Sequence, residues 1–97
     1  QKLIPKVGIY AVEVAINPQE TYFGMLYIGF RNGLDGLEKR IEVNIFDFHH
    51  EIYGQSITVQ LLRRIREERR FEDLEDLKNQ LKLDEKAVRS FILSVTV

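Results

Sequence analysis

The period of the apolar residues changes once along this chain, and that change limits the folds open to it. Up to about residue 62 they alternate every second residue, the spacing of half-buried strands. From Phe71 onward they recur every third or fourth residue, the spacing of a helix face. A first strand, about 7–16, places Tyr10, Val12, Val14 and Ile16 on one side and Ala11, Glu13 and Ala15 on the other. Asn17-Pro18 stops it, because proline has no N–H to donate and restricts the residue before it. A second strand, about 21–30, holds Gly24 and Gly29, which mark a bulge or a close approach of backbone or ligand. Asn32-Gly33 and Asp35-Gly36 are turn signals. A third strand covers about 38–48 and a fourth about 56–62, through Ile57, Val59 and Leu61. Four strands joined in sequence make a meander or part of a small barrel.

The third strand is where chemistry is expected. Ile41, Val43 and Ile45 fall on one face; Glu42, Asn44, Phe46 and Phe48 fall on the other. A carboxylate and an amide beside two phenylalanines are costly to bury without hydrogen-bond partners or a ligand. Taken alone, Glu42 reads as a solvated strand residue. His49-His50 is a surface turn, since adjacent strand residues point to opposite faces and do not form a metal pair.

The remainder is helical. Phe71, Leu74, Leu77 and Leu81 form one apolar stripe, read as core packing, with Glu72, Asp73, Glu75 and Asp76 in the first turns, where the helix dipole favours anions. Asp84 is an N-cap candidate for a second helix carrying Ala87, Val88, Phe91 and Ile92. The expectation is therefore a C-terminal helical hairpin, with helices at about 72–82 and 85–93. Before it, Arg63-Arg-Ile-Arg-Glu-Glu-Arg-Arg70 reads as a solvated, salt-bridged segment, its basic charge diluted by the two glutamates and the acidic helix. Four strands leave two sheet edges to be covered, and the hairpin covers one. Something outside this chain, or another copy of it, covers the other.

Composition narrows the classes. Ninety-seven residues make one domain, 1–97, with a modest core. A net charge of −1 creates no field for nucleic acid or an anionic membrane, and no apolar run nears the ~20 residues that span a bilayer. There is no cysteine, hence no disulfide framework and no thiol nucleophile, which suits a cytoplasmic setting. The chain opens without Met, as a segment of a longer protein does.

Five blocks resemble the riboflavin kinases. They are Gly8-Ile-Tyr-Ala-Val-Glu-Val, Tyr22-Phe-Gly-Met-Leu-Tyr-Ile-Gly29, Ile41-Glu-Val-Asn-Ile-Phe-Asp-Phe48, Ile52-Tyr-Gly-Gln-Ser-Ile-Thr-Val59 and the run from Arg64 through Lys78 to Gln80 and Asp84. The resemblance implies a mainly β (α+β) fold, a six-stranded Greek-key barrel with C-terminal helices, of which about four strands are present here. It implies transfer of the γ-phosphate of ATP, with magnesium or another divalent metal, to the ribityl 5′-hydroxyl of riboflavin, giving FMN for flavin biosynthesis. It implies a fused N-terminal FMN adenylyltransferase in the parent protein. By the same resemblance Glu42 is the catalytic base, Tyr53 and Gly54 form the turn beside the flavin and nucleotide sites, and Arg66, Glu68 and Phe71 belong to a flap over the flavin, with the arginine pairing with phosphate oxygens. The family's glycine-rich Pro-Thr-Ala-Asn loop, which holds ATP and metal, is expected before residue 1, so this chain alone is expected to bind ATP weakly or not at all. Asn32-Gly33 stands where the family has Pro-Thr, and Asn44 where it commonly has His. Two other readings remain: a non-catalytic flavin-binding or structural module of the same fold, and an interaction domain that recruits a partner strand at its open edge.

Overall fold

The computed structural model describes residues 5–96; residues 1–4 and 97, which the one-domain reading includes, lie outside the described residues. Strands β1 (Gly8–Asn17), β2 (Glu20–Gly33), β3 (Gly36–Ile45) and β4 (Thr58–Arg66) precede one helix, α1 (Leu74–Thr96). The strands form a single antiparallel sheet in the order β3-β2-β1-β4, so β3 and β4 are its edges. The fold is mainly β, a barrel-like sheet that does not close among the described residues.

Alternation divides the sheet into two faces. On one, Tyr10, Val12 and Val14 of β1 pack with Leu26 and Ile28 of β2, flanked by Ile45 and Val59. On the other, Ala11 and Met25 pack against Phe46 and against Val88 and Ile92 of α1. Each fully buried side chain of this size stabilises the fold by roughly 1.5–3 kcal/mol, which makes β1, shared by both faces, the centre of the core. Gly24 lies beside β3, where a Cβ would run into the Asn44 carbonyl oxygen. That is the close backbone approach the sequence led us to expect.

Four expectations need correction. The helical hairpin is one continuous helix of 23 residues. No glycine or proline interrupts 82–85, and Asp84 is not a cap: its carboxylate is taken by Arg66, and it lies mid-helix at 2% exposure. The cap is Asp73, whose Oδ1 accepts the Asp76 backbone N–H at 2.8 Å. The helix also meets the sheet core through Val88 and Ile92 rather than through the whole Phe71 stripe, since Leu74 is 64% exposed. Finally, the third strand ends at Ile45 instead of 48. Asp47 adopts a left-handed φ of 58° that turns the chain, and Phe48 stacks edge-on against Tyr22, on the face opposite Phe46. The fourth strand starts later than 56 and runs on to Arg66, because pairing with β1, bulged at two points, outweighs the charge of Arg63 and Arg64.

Candidate functional site

Glu42 stands directly opposite Tyr27 in the β2–β3 ladder, on the face that α1 covers farther along. At this end the helix and sheet diverge and leave a cavity of about 300 Å³, lined by Ile9, Tyr27, Arg31, Glu42, Arg66, Arg69, Phe71, Leu77 and Leu81. A second recess of about 260 Å³ continues along β3 past Val43 and Asn44 and shares Ile9, Tyr27, Glu42 and Leu81. The apolar walls come from β1, α1 and Phe71 of the segment 67–73. The polar groups come from β2, β3, the end of β4 and Arg69.

Two short networks organise the polar groups. In the first, the Arg31 Nη2 lies 3.3 Å from Glu42 Oε2, both side chains about half exposed. Such a pair contributes at most about 1 kcal/mol, so it orients the carboxylate more than it stabilises the fold. Arg31 also sits 6.0 Å over the Tyr27 ring, and the Tyr27 hydroxyl donates to Glu68 Oε2 at 2.6 Å. Burial, and then this hydrogen bond, push the Tyr27 phenol above its usual ionisation range. Edge strand, neighbouring strand and the segment after β4 are thereby joined in one line.

The second network lies deeper. Arg66 donates from Nε and Nη2 to the two oxygens of Asp84, each at 2.7 Å, and from Nη1 to the Glu67 carbonyl at 2.9 Å. Gln80 donates to Asp84 Oδ1 at 3.0 Å and accepts from Arg69, which also reaches Asp76 at 3.3 Å. Both guanidinium groups approach the Phe71 ring, Arg66 at 5.9 Å and Arg69 at 4.9 Å from its centroid. No buried side-chain polar atom is left without a partner among the described residues.

Of the residues singled out in the sequence, Glu42, Arg66 and Phe71 line one cavity, and Glu68 reaches its rim through Tyr27. Tyr53 and Gly54 do not join them. They sit in a turn closed by the Gln55 N–H to the Ile52 carbonyl, with Gly54 at φ 77° and Tyr53 91% exposed. That turn borders a separate concavity of about 430 Å³, whose lining includes Val43, Phe48 and His50. Sequence reasoning missed Tyr27, Arg31 and Arg69 as site residues. Tyr27 and Arg31 share the face of Met25 by simple alternation, so the register of β2 against β3 was the available signal. Arg69 had none, since its role depends on α1 lying across the sheet.

Comparison with known proteins gives one consistent result. The family described as Flavokinase, riboflavin kinase, matches residues 1–92. A bifunctional riboflavin kinase/FMN adenylyltransferase of Bacillus subtilis is 39% identical over 95 residues, covering 92% of this chain and 29% of that protein. An RNA-binding riboflavin kinase of the same organism is 44% identical over 78 residues, covering 79% of this chain and 34% of that protein. A crystal structure described as a macrolide-efflux protein from Streptococcus pneumoniae superposes with a TM-score of 0.78 at 41% identity, over 90% of this chain and 28% of that one. The chain thus spans under a third of the bifunctional relatives it matches. With the family match running through all four strands and most of the helix, the chain belongs to the riboflavin kinase family.

Proposed function

We propose that this chain is the riboflavin kinase module, a single domain, of a longer cytoplasmic flavin-biosynthesis protein with a fused adenylyltransferase. It transfers the γ-phosphoryl group of ATP to the ribityl 5′-hydroxyl of riboflavin, giving FMN and ADP. The observation that carries the reading is Glu42, a strand carboxylate at the wall of a cavity otherwise lined by apolar and aromatic side chains and by Arg31, Arg66 and Arg69. Such a cavity suits a flat ring system bearing a polar chain. Phosphoryl transfer depends mainly on positioning and electrostatics, with a carboxylate accepting the proton of the attacking hydroxyl. Arg31 Nη2 reaches both oxygens of that carboxylate, at 3.3 and 3.5 Å, and Glu42 lines the cavity with acceptor capacity to spare.

Magnesium is a different matter. The described residues contain no group of three or more His, Asp or Glu placed to hold a metal ion. The donors around Glu42 amount to one carboxylate already paired with a guanidinium, so no step here is assigned to a metal. Among the described residues no helix is long and apolar enough to cross a membrane.

Glu42→Gln in the full-length protein tests the reading. It keeps the shape but cannot take the proton, so the turnover number should fall by about 10²–10⁴-fold while riboflavin affinity changes little. Glu42→Asp should also slow turnover, because withdrawing the carboxylate by one methylene misplaces the base. A stable Glu42→Gln enzyme with undiminished turnover would end the assignment.

A further inference from the structure

Asp84 is the buried charged side chain among the described residues, and it lies on the helix rather than on any strand of the site. A carboxylate removed from water at 2% exposure is tolerated only with close, complementary donors. It has them in the forked guanidinium of Arg66, bound through both oxygens at 2.7 Å, and in the Gln80 amide. The pair therefore fixes the end of β4 against the middle of α1. Gln80 extends the same fixture to Arg69, and both arginines approach the Phe71 ring. The ring is a cavity wall, carried by a segment without regular secondary structure.

We propose that Asp84 is a positioning residue for the ligand: through Arg66, and through Gln80 and Arg69, it sets the Phe71 ring as a fixed stacking wall for a planar aromatic ring system. The proposal rests on the reading above, in which that ring system is the flavin. It changes the role of Arg66. Both donors on the edge of its fork meet Asp84, and Nη1 donates to the Glu67 carbonyl, so Arg66 acts as a clamp on the protein instead of a ligand for phosphate. A fork of this geometry loses its bidentate fit if replaced by lysine.

The test uses the full-length protein, with riboflavin affinity read by calorimetric titration, KM for riboflavin and ATP read separately, and melting temperature on the same samples. Asp84→Asn removes the charge and half of the fork. The double variant Arg66→Met with Asp84→Leu replaces the pair by apolar groups of similar volume, a change that buried pairs often tolerate without loss of stability. Phe71→Leu removes the wall itself. Both clamp variants should weaken riboflavin binding about tenfold, the scale of one aromatic stacking contact. KM for riboflavin should rise accordingly while KM for ATP stays put. Adding Asp84→Asn to Phe71→Leu should cost no further affinity, because both act through the same ring. Should the double variant melt like the parent and bind riboflavin equally well, the pair is a structural tie and the proposal is wrong. It is wrong too if Asp84→Asn raises KM for ATP instead of riboflavin. Because binding is read without turnover, a parent protein that binds riboflavin but transfers no phosphate refutes the kinase reading alone. A parent that binds no riboflavin refutes both.

Discussion

Strands β1 and β3 are each ten residues long and both alternate apolar with polar side chains, yet they do opposite work. β1 is paired on both sides, and its first five residues are all buried. β3 is an edge, and every residue before Ile45 is exposed, including Ile41 at 59%. Period two thus encodes a strand, but rank in the sheet decides whether its side chains become core or remain available. The candidate base belongs to the strand with the least packing to do. An edge residue can change partners without disturbing the interior, and a group that must meet a substrate has to be able to do so.

The contrast can be broken first by charge. Val12→Asp places a carboxylate at a site with 0% exposure, and it should destabilise the domain by more than about 4 kcal/mol in urea unfolding. Ile41→Asp, made in this 97-residue chain, should cost under about 0.5 kcal/mol. A comparable cost at both positions would mean that β3 is covered after all, by a second copy or a partner strand. The smallest effect concerns Tyr27, the β2 residue opposite Glu42. Its folded-state ionisation is raised above 10.0, by burial first and the Glu68 bond second. That contribution to stability is complete below pH 10.0 and is lost as pH rises through the folded-state value. The urea midpoint should therefore decline in that alkaline window, and Tyr27→Phe should flatten the decline. An unchanged slope would separate Tyr27 from the segment it is bonded to.

What could be read from residues alone follows the same division. The four strands and both apolar faces of β1 are legible because alternation is a local property, and the Val12 and Val14 set packs as the spacing implies. Glu42 was legible as an oddity, a carboxylate on the face of Phe46. The helical part was less so. Asp84 looks like a cap in sequence because Asp favours that position, and only the distant Arg66 turns it into a buried, mid-helix ion. Phe48 shares the parity of Phe46, but one left-handed residue, Asp47, sends it to the other side. Contacts between residues 18 apart, or a single reversed dihedral, leave no periodic trace.

The β2–β3 ladder continues past the point where β1 stops. β1 pairs with β2 only as far as Ile28, whereas β2 and β3 go on pairing from Gly29 opposite Arg40 to Gly33 opposite Gly36. Among the described residues the last rungs of this hairpin are two-stranded, and two strands alone are marginally stable in water. Arg31 rides on those rungs, while Glu42 sits near their root. Local opening costs far less free energy where so few bonds must break than it does in the four-stranded sheet. The guanidinium that restrains the carboxylate is thus carried where the described ladder has only two strands, while the carboxylate lies where β1 still flanks the hairpin.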